Sequence, residues 1–175
     1  MEARGVCPWH LLRETSIVKK RRRYSLVFAA VAVAWLIAFV VTPRSVNPAI
    51  DPALRLEATA QVPPDVLTML RSSCFDCHSD ETEWPWYTRA FPASWLVSHD
   101  VDEGRGQLNL SRWSEYNVFD RADFLDEMCE HATTKEMPLW QYTLIHRGAR
   151  LSEPQIETLC SWTAAELERL LQGPE

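Results

Sequence analysis

Five consecutive residues, Cys74, Phe75, Asp76, Cys77 and His78, restrict this chain more than any other stretch of it. They form the pattern C-x-x-C-H, with two thiols one helical turn apart and an imidazole directly after the second. Thiols at that spacing suit two thioether bonds to the vinyl groups of a haem. The histidine then lies under the iron as its proximal ligand. The same C-x-x-C pair also occurs as half of a zinc site, as a redox dithiol or as a plain disulfide. A zinc site needs further Cys or His ligands at short spacing, whereas the next cysteine is Cys129, far downstream. A thioredoxin-like site expects a strand before the motif in a βαβ context, and the flanks carry no strand pattern.

The second constraint lies upstream. Residues Tyr24 to Val41 run without a single charge, directly after Lys19, Lys20, Arg21, Arg22 and Arg23. Eighteen residues at a rise of ~1.5 Å span about 27 Å, close to the hydrocarbon thickness of a bilayer. The basic cluster before the run predicts a cytoplasmic N-terminus by the positive-inside rule. A cleaved signal peptide is the competitor, but the run exceeds a usual h-region and no A-x-A site follows it. The reading is therefore a cytoplasmic basic tail over 1–23, where Cys7 and His10 are isolated, and a transmembrane signal-anchor helix over 24–41. Everything beyond would lie outside the cytoplasm, on the bacterial inner membrane with its soluble part in the periplasm.

Charge follows the same division. Residues 1–23 carry seven Lys/Arg against two Glu, a balance of +5, and residues 42–175 carry eleven basic against twenty-two acidic groups, −11. The basic residues sit beside the apolar run and not on the domain, so no nucleic-acid footprint is present. An acidic domain favours a partner with a basic docking face.

Residues 42–63 contain Pro43, Pro48, Pro52 and Pro63 with few large apolar side chains, which reads as a semi-rigid linker in which Leu54, Leu56 and Val62 could pack locally. The domain proper is expected over 64–175. Pro64 and Asp65 open a helix carrying Val66, Leu67, Met69 and Leu70 into the motif. From Ser79 to Phe119, Trp, Pro, Gly, Ser and Asn are frequent and periodicity is weak, which predicts loops with one or two short helices around a cofactor. Seven of the eight Trp lie from Trp35 onward, a supply of aromatic surface for such a pocket or for an ordinary core. Asp120 is the expected N-cap of a helix from Arg121 to about Thr133. A Met-Pro loop and a short aromatic segment through Trp140, Tyr142 and Leu144 follow. Ser152, Pro154 and Gln155 then open a final helix whose Ile156, Leu159, Trp162 (or Thr163), Leu167 and Leu170 recur at helical spacing. No strand signal appears, and the fold class is all-α.

One histidine leaves an axial position on the iron open. Met137 is the favoured second ligand: its thioether stabilises ferrous iron, and Pro138 fixes the backbone beside it. An ordinary packing role for Met137 is the alternative, and His146 is the competing ligand. His99 and His131 read as solvent-facing. Cys129 and Cys160 fall on the helices flanking the Met-Pro loop and are expected either to form a disulfide, which an oxidising compartment favours, or to stay as buried thiols.

The motif helix, the Met-Pro loop and the closing amphipathic helix together resemble class I cytochromes c. More specifically, residues 65–165 resemble the bacterial haem-binding domain family of c-type proteins. The likeness rests on Cys74 to Ser79, Glu83 to Tyr87, Pro92 to Leu96, Asp100 and Val101. It continues through Gly104, Arg105, Leu108, Asn109, Ser111 to Trp113, Met137, Pro138, Tyr142, His146, Leu151 and Ser152. It implies a cytochrome c-like fold, one covalent haem with its iron, and export. The function expected is electron transfer between that haem and a redox partner protein, because an iron with both axial sites filled leaves no room for substrate. The alternative is a haem sensor or peroxidase-like enzyme with an open distal site, in which His99, His146 or Glu83 would supply the acid/base group. A structural domain with Cys74 and Cys77 as a disulfide leaves the Trp-rich middle without a core.

Overall fold

The computed structural model describes residues 9–41 and 46–173. Among them every regular element is helical, as the sequence predicts. The N-terminal helix α1 (Trp9–Val41) contains Lys19–Val40, 22 residues of mean hydropathy 2.0, none of it buried. Large apolar side chains such as Phe28 and Val40 stand 77% and 73% exposed. A helix apolar on every side, with none of its span buried, has the character of a membrane span or a signal sequence. By contact, α1 groups with Trp86–Ser94 into one compact unit, while Ser45–Pro85 and Trp95–Glu175 form another.

The larger unit holds α2 (Leu56–Thr59), α3 (Pro64–Ser73), α4 (Phe75–His78), most of α5 (Ala93–Gln107), α6 (Val118–Thr134), α7 (Trp140–Ile145) and α8 (Glu153–Gln172). Leu56, Leu70, Trp113, Leu125, Leu159 and Trp162 are buried in one core. In α3, Pro64 sits at the first helical position, where a missing N–H costs nothing, and Val66, Met69, Leu70 and Ser73 form the inward stripe. α8 starts as its sequence predicts, with Ser152 N–H and Oγ both donating to Gln155 Oε1 at 2.9 and 2.8 Å. It packs along α6, and Cys129 and Cys160 join the two helices as a disulfide with Cα–Cα 4.8 Å.

Three expectations need correction. The first is the linker over 42–63: its described part belongs to the domain. Leu56 is fully buried, Trp162 Nε1 donates to the Gln61 carbonyl at 2.9 Å, and Gln61 N–H donates to Glu166 Oε2 at 3.2 Å. The buried Leu56 and Ala60, the Asn47 amide and a few backbone bonds dock the segment, and together they leave little hydropathy pattern. The second is the cap of α6. It is Asn117, whose Oδ1 accepts from the N–H groups of Phe119 and Asp120 at 2.8 and 3.0 Å. Asp120 falls in the first turn, where a carboxylate suits the positive end of the helix dipole. The third is the expected looped middle, which contains the fifteen-residue α5. Its inward contacts are made by Val101 and a glycine, so its sequence has little apolar periodicity.

Candidate functional site

The motif occupies the junction of α3 and α4. Cys74 ends α3, its N–H donating to Leu70 O at 2.8 Å, and its own carbonyl accepts from Cys77 N at 3.2 Å and His78 N at 2.9 Å. Those bonds make a single turn that carries both thiols and the imidazole. Phe75 points inward and is 4% exposed, with the Arg71 guanidinium over its ring at 4.9 Å. Arg71 is fixed in turn by Glu57 at 2.7 Å and Glu81 at 3.2 Å.

α5 lies directly against this turn. A methyl group on Gly104 would stand 2.7 Å from the Cys77 carbonyl oxygen, so only glycine permits the approach. The close packing brings the Leu108 carbonyl to His78 Nδ1 at 3.2 Å. A carbonyl can only accept, so Nδ1 carries the proton and the Nε2 lone pair is left for a metal.

The chain after Leu108 is held by a buried polar network. Asp80 N–H donates to Ser111 Oγ at 3.0 Å, and Asn109 Nδ2 donates to Asp80 Oδ1 at 2.9 Å. Arg105 Nε donates to Ser79 O at 2.8 Å and lies 3.6 Å from the Asp80 carboxylate. Each polar group has a partner, which keeps such a network rigid inside a protein.

Cys74, Cys77 and His78 line a cavity of ≈ 450 Å³. Its wall is largely apolar, with Leu70, Leu108, Leu110, Phe124, Met128 and Leu159, and Asp100, Glu103 and Glu127 also line it. Met137 lines the same cavity and is 38% exposed. The loop around it is tied to α6, with Met137 N–H donating to His131 O at 3.1 Å and Lys135 in the left-handed region at φ 62°. Tyr142 O–H donates to Asp76 Oδ2 at 2.7 Å, so the segment after Met137 is bonded to the middle of the motif itself.

The other sequence candidates are not cavity-lining. His146 stacks on Tyr142 at a ring distance of 4.3 Å, and His99 stacks on Trp95 at 5.7 Å. Glu83 meets the motif only through its N–H, which donates to Asp76 Oδ1 at 2.9 Å. His131, read from the sequence as solvent-facing, lines the cavity with Nδ1 2.9 Å from Glu136 Oε2. Its position in the last turn of α6, six residues before Met137, was the available signal.

Cys74 and Cys77 are free thiols. Burial pushes Cys74 from the ordinary 9.0 up to about 12, with Cys77 nearby adding to it. Burial, then the Asp76 and Asp100 carboxylates, push Cys77 up to about 11. A dithiol working by thiolate exchange needs the opposite shift. His78 is held below its ordinary 6.5 by burial, against the opposing pull of the Leu108 and Gly104 carbonyls, and is neutral at pH 7.

The sign of each shift gives a pH dependence for the chain with free thiols. The raised thiols contribute stability that is complete below about pH 8.5 and declines as pH rises toward the folded values. The depressed His78 contributes stability present above about pH 6.5 and lost below it. Iodoacetamide alkylation at pH 8 is expected to be slower at Cys77 in the folded chain than in urea by roughly two orders of magnitude, following its thiolate fraction. Equal rates would contradict the burial of this pair.

A family model described as a haem-binding domain matches residues 32–165. No curated protein and no solved structure matches the chain.

Proposed function

The chain belongs to the haem-binding domain family, and on that premise we propose that it is a membrane-anchored c-type cytochrome carrying single electrons to or from a redox partner. Cys74 and Cys77 form the thioethers, His78 is the proximal ligand and Met137 the distal one. One observation carries the assignment: both thiols and an imidazole with its proton fixed on Nδ1 by Leu108 O face one apolar cavity.

The residues fit a haem. The cavity lies within the roughly 300–1,000 Å³ of cofactor sites and offers aliphatic and aromatic surface to a macrocycle. The neutral, protonated thiols suit slow, assisted thioether formation and not spontaneous disulfide exchange. When bound, the haem supplies an iron that cycles between ferric and ferrous states. The chain's own contribution is to orient and to exclude. Leu108 O orients the imidazole and raises its basicity, as second-sphere acceptors do. Leu70, Phe124 and Leu159 exclude water. The Tyr142–Asp76 bond keeps the Met137 segment on the motif.

Lys19 to Arg23 before the apolar span support a cytoplasmic N-terminus and a periplasmic domain. Asp100, Glu103 and Glu127 at the cavity support a partner with a basic docking face. A second reading, a sensor or peroxidase-like enzyme with a displaceable distal ligand, draws on His131, which lines the same cavity with Nδ1 held by Glu136.

The test is the spectrum of the full chain produced with export and haem attachment. We expect reduced c-type bands that survive extraction with acidified acetone. Haem removed by that extraction would sink the covalent assignment. Rapid carbon monoxide binding by the reduced chain would favour the second reading over electron transfer.

A further inference from the structure

The described part of the predicted linker is docked on the domain through Asn47. Asn47 is bonded on both sides of its amide. Nδ2 donates to Thr82 O at 2.8 Å, and Oδ1 accepts from Trp84 Nε1 at 2.9 Å and Arg105 Nη2 at 2.8 Å. Two points of the chain therefore coincide on the domain. One is where it arrives from α1, and the other is where it departs through Pro85 into Trp86–Ser94.

Trp86–Ser94 belongs to the same compact unit as α1. It is a 3-10 turn, Trp86–Arg89, followed by Ala90 and Phe91. Trp86 is 80% exposed and Phe91 54%, and Arg89 is exposed as well. Its charge also differs from that of the sequence on either side of it. Residues 42–175 hold twenty-two acidic groups, yet none falls between Trp84 and Ser98, where the single charge is Arg89. Tryptophan with a polar N–H, an exposed phenyl ring and a snorkelling arginine make the composition of a membrane–water interface. A carboxylate-free segment is also the part of an acidic chain that anionic lipid repels least.

We propose that Trp86–Ser94 is a membrane-contact element that lies in the headgroup layer of the bilayer crossed by α1, with Trp86 and Phe91 as its anchors. The inference rests on the reading of α1 as a retained span.

The test uses the full chain in nanodiscs of phosphatidylcholine and phosphatidylglycerol, doped with a phospholipid bearing a diazirine near its headgroup. After photolysis, adducts are mapped by peptide mass spectrometry. We expect adducts in α1 and in 86–91, the latter enriched several-fold over the exposed face of α8 and lost in a W86S/F91S variant that keeps its helical circular dichroism. Adducts in α1 with 86–91 at the α8 background would overturn the proposal and leave the anchor standing, with a protein partner as the occupant of the aromatic turn. No adducts in α1 would overturn the anchor reading, and the proposal with it.

Discussion

Replacing Gly104 by alanine is expected to lower the unfolding free energy by about 1–3 kcal/mol, the usual cost of forcing an extra methyl into a packed contact. The new Cβ would meet Cys77 O at 2.7 Å, with Cys77 C and Cβ both at 3.1 Å. Two of those three atoms are backbone, and the Cys77 backbone is held in α4, so no flexible side chain can swing aside. Relief must come from α5 moving off the motif. That movement draws Leu108 away from His78 and loosens the 3.2 Å bond that sets the imidazole tautomer. The loss should therefore appear in haem loading as well as in stability. Gly106 supplies the control: it lies two residues further along the same helix, and a Cβ there meets nothing within 4 Å. Gly106→Ala is expected to be neutral or to stabilise by up to about 1 kcal/mol through helix propensity. Urea midpoints of the two variants decide the matter. If both shift alike, close approach to Cys77 is not what position 104 requires.

The contrast between those glycines shows where sequence reasoning reached its limit. The motif stood out because two thiols and an imidazole fall within five consecutive residues. α3 and α8 were legible because proline, a capping pair and an apolar stripe each act within a few residues. α5 was not, because its contact with the motif is made by the absence of a side chain, and an absence has no hydropathy. The docking of Gln61 was hidden for a related reason. It depends on Trp162 and Glu166, about a hundred residues away, and on backbone groups that every residue possesses. The resemblance to the haem-binding domain family did single out Gly104, Arg105, Leu108, Asn109 and Ser111. Only coordinates explain the group: together they brace Asp80 and the Leu108 carbonyl behind His78. His131 was passed over because a histidine in the last turn of a charged helix reads as solvent-facing.

Met137→Ala is expected to abolish the ferric methionine–iron charge-transfer band and to lower the reduction potential. The drop should be on the order of 0.1–0.2 V, within the roughly 0.8 V that axial ligands control. His131→Ala is expected to leave the band in place. The two side chains line one cavity but are held differently. Met137 precedes a proline, and its N–H is bonded to His131 O at 3.1 Å. Lys135, just before it, pairs with Glu153 at 2.7 Å, so the loop is tied to the start of α8. The thioether thus extends from a braced backbone. The His131 imidazole already has Nδ1 on Glu136 Oε2 at 2.9 Å. That partner can orient its ring but does not bring it to the metal. The informative measurement is the pair of spectra together with carbon monoxide binding. A band that survives in the methionine variant would remove Met137 from the iron. A methionine variant that takes on a low-potential bis-histidine spectrum, and loses it when His131 is also replaced, would show that the imidazole moves in once the thioether is gone. The order of preference would then rest on the loop geometry, since nitrogen is the better ligand for ferric iron and sulfur for ferrous.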